Sequence, residues 1–320
     1  MENLVMLERI HLHPDVAAAL EAGRPVVALE SSLIAHGLPF PRNLQVARRV
    51  EEAVREKGGV PATVAILAGY IHVGLSAEEL ELAATPGRLS KVSRRDIPLV
   101  VAQEGYGGTT VAATAWVAER VGIAVLATGG IGGVHRGAPQ SFDISADLPA
   151  LAQTNVVVVC AGAKSVLDIG LTLEQLETLG VPVVGYATAE FPAFFCRQSG
   201  FPVDQRVETP EEVVRIARAK WDLGMRGAVV VGVPVPTEAG LNFREMERVI
   251  GRAIREAQRE GIHGRALTPY LLAAVERATD GRSVTANEAL LVNNGCVGAA
   301  IAQAWTGQRL SDNQQDSGTL

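Results

Sequence analysis

A lysine that follows a run of apolar residues is the first candidate for chemistry in this chain. Residues 156–160 are four valines and a cysteine, a composition typical of a buried strand, and a short turn of small residues then leads to Lys164. A charge is costly in apolar surroundings, so Lys164 suits either a phosphate anchor or a nucleophile with a lowered pKa. The alternative is a loop lysine whose ammonium reaches water, and this stretch alone leaves all three open.

Two further predicted strands end in unusual residues. Residues 25–29 form an apolar run that ends at Glu30, and residues 123–127 form another that precedes the most glycine-rich loop, residues 128–133. Because the carboxyl ends of parallel strands meet at one edge of a sheet, a carboxylate, backbone amides and Lys164 would share one crevice. Glycine-rich turns also occur for backbone geometry alone, so the loop by itself indicates an anion site only weakly.

The glycine loop does not predict a dinucleotide site. The position three beyond Gly132 is His135, where the G-x-G-x-x-G pattern requires glycine. Nicotinamide chemistry is therefore disfavoured.

Two carboxylates near this loop suggest a metal ion. Asp143 and Asp147 are four residues apart and would share one face of a helix, with His135 close by. Mg²⁺ or Mn²⁺ can be held by one carboxylate and several waters, so few protein ligands are needed. The alternative is that these aspartates are a helix N-cap and a surface residue.

Composition excludes several classes of protein. The chain has 320 residues, 48% of them hydrophobic and 4% aromatic, with a net charge of −6. This balance predicts no general attraction to nucleic acid and no base-stacking surface, and no stretch is long and apolar enough to span a membrane. The three cysteines lack a close pair and the first residues lack a signal peptide's apolar core, so we expect a cytoplasmic location.

Strands alternate with helices along the chain, which predicts an α/β fold. We expect a three-layer α/β/α sandwich with a largely parallel or mixed central sheet. Residues 1–305 would form one catalytic domain, and residues 306–320, which are polar, a disordered tail. The densest basic cluster, residues 91–96, precedes another predicted strand over residues 97–101.

The sequence resembles the pseudouridine-5′-phosphate glycosidase family, which includes indigoidine-synthase-A-like proteins. The resemblance extends from about Pro25 to Ala302, and its blocks occur in the family's order. The chain departs from the usual pattern at Ser32, at Gly108 and over residues 187–189, and none of these changes removes a proposed catalytic group. The blocks are residues 30–37, 91–96, 109–114, 127–137, 142–148, 160–165, 190–194 and 286–287.

The resemblance implies roles for particular residues. Lys164 would be the nucleophile and Glu30 the proton donor, while Asp143 would hold one Mn²⁺, or another divalent cation, mostly through waters. The family also implies a homotrimer. Substrate would be bound by Lys91, the backbone at Val111, Ser145, Ala146 and Asp147, with Thr128, His135 and Asn287 lining the same pocket.

The implied reaction is reversible cleavage of the carbon–carbon glycosidic bond of pseudouridine 5′-phosphate. The products are uracil and ribose 5-phosphate, and the route is a lysine imine with the ring-opened sugar, which makes the enzyme a glycosidase of lyase type. We expect Lys91 and nearby backbone amides to hold the 5′-phosphate. The alternatives are a Schiff-base aldolase or pigment-pathway enzyme acting on another sugar phosphate, and a non-catalytic sugar-phosphate-binding protein.

Overall fold

The computed structural model describes residues 8–262 and 267–316. The strands form one large sheet and one two-stranded sheet. The strands are β1 Ile10–Leu12, β2 Val26–Glu30, β3 Val60–Leu67, β4 Tyr70–Val73, β5 Ser90–Val92, β6 Gly107–Thr109, β7 Val125–Ala127, β8 Val134–His135, β9 Val157–Cys160, β10 Leu167–Asp168, β11 Val183–Tyr186, β12 Gln205–Val207 and β13 Val229–Gly232.

Helices occupy most of the remaining chain between the strands. They are α1 Pro14–Glu21, α2 Ser32–His36, α3 Arg42–Glu56, α4 Ala77–Ala84, α5 Ile97–Ala102, α6 Val111–Val121, α7 Ala138–Ser141, α8 Asp147–Leu151, α9 Ile169–Thr178, α10 Pro210–Asp222, α11 Phe243–Arg259, α12 Leu267–Ala278 and α13 Arg282–Asp316.

The large sheet has a parallel centre and a mixed edge. Its order is β1-β4-β3-β2-β7-β9-β13-β11-β12, and each successive pair from β3 to β12 is parallel. Hairpin partner β4 and the short β6 run antiparallel to β3. The central strands are fully buried valine-rich runs, as expected for a parallel sheet covered on both faces.

The layers are joined by one extensive core. Helix α13 packs against β2, β7 and β9, and helix α6 also packs against β2 and β7. Close approach of α13 depends on Gly298, where a Cβ would lie 3.2 Å from the Cβ of Ala127. The main cluster of buried side chains extends from Ile10 to Ala302. This arrangement confirms the α/β/α expectation.

One predicted strand is wrong. Residues 97–101 lie in helix α5, which follows a single 3₁₀ turn at Arg94–Asp96. The Asp96 carboxylate accepts the Ser93 backbone N–H at 3.0 Å, and Pro98 occupies the first helical turn. Both features favour a helix start. A short apolar run is ambiguous between helix and strand, and one side of this one is exposed at Leu99.

The end of the chain also differs from expectation. Helix α13 continues to Asp316, so residues 306–316 are helical where we expected a disordered tail, while residues 317–320 lie outside the described residues. Residues 306–316 contain no proline, so nothing in the backbone chemistry stops the helix. In the described ranges, each helix is too short or too polar to cross a lipid bilayer.

Candidate active site

The three unusual strand ends lie side by side. Strands β2, β7 and β9 are adjacent and parallel, and Leu29 pairs with Ala127, which pairs with Val159. Glu30, Thr128 and Cys160 therefore end the three strands at one level, and the Thr128 N–H donates to the Val159 carbonyl at 2.9 Å. The expected convergence of a carboxylate and a glycine loop at one sheet edge is confirmed.

Glu30 is buried and held by two hydroxyl groups. Only 6% of the residue is exposed. The Ser32 hydroxyl donates to Oε2 at 2.7 Å, and the Thr128 hydroxyl donates to Oε1. The Asn294 amide on α13 in turn donates to the Thr128 carbonyl at 2.8 Å. This network fixes the carboxylate at the end of β2.

Lys164 reaches the same edge through a bent connection from β9. Gly162 has a φ of +91°, and the backbone then pairs with the glycine loop, since the Lys164 N–H donates to the Ile131 carbonyl at 3.0 Å. Lys164 is half-buried. The next residue, Ser165, has a buried hydroxyl with no hydrogen-bond partner among the described residues. An orphaned buried hydroxyl beside a lysine is a group that a polar ligand would satisfy.

Asp147 joins the glycine loop to the start of α6. Its Oδ1 accepts the Ala112 N–H at 2.9 Å, and its Oδ2 accepts the Gly132 N–H at 2.7 Å. The side chain is 4% exposed, so the alternative of a surface residue is wrong. Asp147 opens α8, whereas Asp143 lies before it outside any helix, so the two carboxylates do not share a helical face.

The remaining predicted substrate residues surround this junction. Val111 is the first residue of α6 and is fully buried, and the preceding Thr110 has a buried hydroxyl without a partner in the described chain. Ser145 is half-buried and Ala146 exposed just before α8. A substrate contact by any of these groups stays a prediction.

The positive charge of Lys91 acts on two histidines. Burial lowers the pKa of His36, and the Lys91 ammonium lowers it further. Burial also lowers the pKa of His135; the Asp143 carboxylate opposes this and Lys91 adds to it. Both imidazoles therefore favour the neutral form near Lys91, where they can donate or accept a hydrogen bond. Exposed Lys91 is the cation through which an anion would be drawn to this side of the crevice.

The donor set at Asp143 suits a cation held largely by water. Asp143 keeps 38% of its side chain exposed, and its Oδ2 lies 4.0 Å from Nδ1 of His135. The described residues contain no group of three or more acidic, histidine or cysteine side chains that could cage a metal. One open carboxylate with a neighbouring imidazole fits a hard divalent ion that retains most of its waters.

Asn287 enters the site from α13. It is 5% exposed, and its side-chain oxygen has no partner in the described part of the chain. Asn287 and His36 line one cavity of ≈ 370 Å³, bounded on another side by α12.

Sequence reasoning did not single out Ser32, His36 or Asn294 as site residues. Ser32 and His36 lie within the block that carries the family resemblance, two and six residues after Glu30, so proximity to Glu30 was an available signal. Asn294 is distant in sequence, and only the packing of α13 brings it to Thr128.

The fold and site define an α/β enzyme whose crevice brings a lysine and a buried carboxylate to the same edge of the sheet, on either side of β7. Residues 15–304 match the family described as Indigoidine synthase A like protein, and the chain belongs to that family.

Relatives named pseudouridine-5′-phosphate glycosidase are similar along nearly their whole length. The protein from Rhodospirillum centenum is 58% identical over 94% of this chain and 93% of its own. The protein from Caldanaerobacter subterraneus subsp. tengcongensis is 53% identical over 92% and 95%.

Two solved structures are similar to this chain in fold and sequence. The prealnumycin C-glycosynthase AlnA, in complex with ribulose 5-phosphate, superposes with a TM-score of 0.88 at 39% identity, covering 94% of this chain and 98% of AlnA. An indigoidine synthase A-like protein from Thermotoga maritima gives a TM-score of 0.84 at 39% identity, covering 93% and 96%.

Proposed function

We propose that this protein is a pseudouridine-5′-phosphate glycosidase that interconverts pseudouridine 5′-phosphate and water with uracil and ribose 5-phosphate. The observation that carries the proposal is the lysine–carboxylate crevice, in which Glu30 ends β2 and Lys164 follows β9, two strands separated only by β7. The names of relatives above 50% identity support the substrate. A ribulose 5-phosphate complex of a 39% identical C-glycosynthase supports a sugar phosphate in this fold.

A carbon–carbon glycosidic bond requires an electron sink, because carbon is a poor leaving atom. The neutral Lys164 amine attacks C1′, a C1′–N bond forms, and the C1′–O4′ bond breaks as Glu30 gives O4′ a proton. The secondary ammonium that results returns a proton to the Glu30 carboxylate, and the freed nitrogen lone pair forms the C=N bond of a protonated imine while the C1′–C5 bond breaks. The electron pair of that bond stays on uracil C5, which takes the proton from Glu30. Water adds to the imine carbon, the C1′–N bond breaks, and ribose 5-phosphate leaves while Lys164 returns to the amine and Glu30 regains its proton.

Surrounding groups bind and orient the substrate. Lys91 and amides near Val111 hold the 5′-phosphate, because a cation and a helix N-terminus both favour an anion. His135, Thr128, Asn287 and residues 145–147 line the remaining pocket. Asp143 would hold Mn²⁺, which would supply ordered water and polarisation of substrate oxygens. We further propose a homotrimer, as the family resemblance implies, and a cytoplasmic location, as the cysteine usage and the N-terminal composition suggest.

Uracil release from pseudouridine 5′-phosphate, followed by ultraviolet absorbance with and without Mn²⁺, tests this function. We expect turnover, a loss of at least about 10³-fold in Lys164→Ala, and a borohydride-trapped ribose phosphate adduct on Lys164. Lys57→Ala, which removes an exposed lysine outside the crevice, is the matched control. Full turnover by Lys164→Ala, or an adduct on another lysine, would overturn the assignment.

A second candidate is a C-glycosynthase or pigment-pathway activity on another sugar phosphate. The AlnA structure favours it, since the two chains share the fold over nearly their full lengths. The lower identity to AlnA, 39% against 58% for the Rhodospirillum centenum relative, makes it the weaker alternative. Absence of uracil release together with ribose 5-phosphate trapping on Lys164 would favour this second activity.

A further inference from the structure

The loop that carries Asp143 is closed on itself at its base. We define the Asp143 loop as residues 136–143. The His135 N–H donates to the Asp143 carbonyl at 3.0 Å, and Val134 pairs with Ile144 in an isolated antiparallel bridge. Strand β8 in turn pairs with β10, which follows Lys164 closely. The base of the loop is therefore rigidly connected to the lysine segment.

The rest of the Asp143 loop has one buried residue, Ala138, which is 5% exposed and packs in the main core. The loop contains the single turn α7 and bends through left-handed φ values at Gly137 and Phe142. Phe142 is 83% exposed, so it adds little packing against the body. Short exposed loops with little buried surface open readily. A contact from outside the loop would add to the backbone bonds at its base and to the packing of Ala138 in keeping Asp143 and His135 in one arrangement.

Arg136 supplies that connection. Its Nη1 donates to Oε2 of Glu247 at 2.9 Å and its Nη2 donates to Oε1 at 2.6 Å, a two-pronged pair with α11. The side chains are 27% and 37% exposed, so solvent screens the pair less than an open surface contact. This ion pair joins the Asp143 loop to α11, whereas the contact between His135 and Asp143 stays at the base of the loop.

The partner helix borders the same site. Helix α11 packs on α12, and α12 contributes Leu272, Ala273 and Glu276 to the cavity that contains His36 and Asn287. Fixing Arg136 to Glu247 therefore sets the loop and the α11–α12 pair relative to one another across the crevice.

We propose that Arg136 and Glu247 form a positioning clamp, which holds the Asp143 loop against α11 and so keeps His135 and Asp143 aligned in the crevice. Neither residue touches the reacting atoms. The expected kinetic consequence rests on the proposed function, whereas the structural consequence does not.

The test uses Arg136→Gln, Glu247→Gln and the exchanged pair Arg136→Glu/Glu247→Arg. Arg282→Gln is the matched control, because Arg282 makes the other ion pair of α11, at 2.7 Å to Glu245, from outside the loop. In each single clamp variant, we expect the backbone amide hydrogens of the Asp143 loop to exchange with solvent at least tenfold faster. We also expect kcat/KM to fall at least tenfold. The exchanged pair recovers part of both, while the control changes neither and circular dichroism spectra are unaltered.

Loop exchange in Arg136→Gln or Glu247→Gln that matches Arg282→Gln would overturn the clamp. So would an exchanged pair as damaged as the sum of its singles, since coupling between the two side chains is the core of the proposal. If the wild-type protein released no uracil, the proposed function would fail, and amide exchange alone would still decide the clamp.

Discussion

Glu30 is a buried carboxylate whose two oxygens both accept hydrogen bonds. Hydrogen bonds from Ser32 and Thr128 satisfy both oxygens, which offsets much of the penalty for removing the group from water. Serine stands at position 32 where the family usually has threonine, and the hydroxyl that matters is retained. The departure noted in the sequence therefore leaves the contact intact.

His36 provides a residue-scale test of the site's electrostatics. Burial and the Lys91 charge both lower its pKa from 6.5, so replacement by Lys91→Gln should raise that pKa toward the ordinary value. NMR titration of the imidazole measures it directly. In the unfolded chain the pKa returns to 6.5. Between the folded pKa and 6.5, the unfolded state therefore binds more protons at His36 than the folded state does. His36 thus lowers stability as the pH falls through 6.5 toward its folded pKa.

A matched control is Lys57→Gln, which removes a lysine of the same charge that does not appear among the influences on His36. An unchanged His36 pKa in Lys91→Gln would contradict the placement of Lys91 beside this histidine. Lys91→Gln should also weaken the binding of phosphate-bearing ligands, because the crevice would lose the exposed ammonium of Lys91.

At the scale of elements, the bend between β9 and Lys164 leaves no room for a side chain at Gly162. A Cβ on Gly162 would lie 1.8 Å from the Pro192 carbonyl oxygen, and its φ of +91° is unfavourable for any other residue. The Phe194 N–H also donates to the Ala161 carbonyl at 2.8 Å, which holds the segment of Pro192 and Phe194 against the bend. Neither that segment nor the bend can shift to admit a side chain without disturbing the end of β9.

We therefore expect Gly162→Ala to lower the free energy of unfolding by at least about 3 kcal/mol, through backbone overlap added to conformational strain. Gly122→Ala is the control, since Gly122 also has a positive φ, of +80°, but open space around it. Its expected loss is about 1–2 kcal/mol. Urea unfolding measures both, and equal losses would show that strain alone, without overlap, sets the requirement at Gly162.

The sequence predicted elements well where periodicity or composition was distinctive and failed where short segments are governed by contacts. Amphipathic helix α3 was evident because its apolar side chains repeat at the helix period, and buried strand β9 was evident because it lies in a run of four valines and a cysteine. Residues 97–101 were mistaken for a strand because an apolar run of five residues has no decisive period. Two-residue strands β8 and β10 exist only through their mutual pairing, which no local pattern encodes.

The candidate site also contains features that the sequence predicts and features that only tertiary packing creates. Glu30 and the glycine loop could be placed at one edge from strand ends alone, and the chemistry of Lys164 came from the family resemblance. The bridging contacts of Asp147 could not be foreseen, because they join residues 15 and 35 positions away. Asn294 reaches Thr128 across 166 positions. Such contacts are properties of packing and leave no spacing in the sequence.

At the scale of the whole molecule, one continuous core argues for one cooperative unit. Buried residues of the first strand and of the last helix belong to the same cluster, which extends from Ile10 to Ala302. Trp305 still packs against Trp221, with ring centroids 5.2 Å apart, so the last aromatic contact lies just beyond that core. No separate cluster in the described residues is large enough to suggest a second domain, since the smaller one contains ten buried residues.

Calorimetry should therefore show a single unfolding transition for the full chain. Removing residues 308–320 leaves the core and the Trp221–Trp305 contact in place. We expect that truncation to shift the midpoint by less than about 2 °C, because residues 308–320 are polar apart from Leu310, Gly318 and Leu320 and should contribute less than about 1 kcal/mol. Removing residues 302–320 is the contrasting variant, since it also deletes Ala302 and Trp305, and a larger fall should follow. Two resolved transitions in the full chain, or equal falls in both truncations, would contradict a single core to which Ala302 and Trp305 contribute.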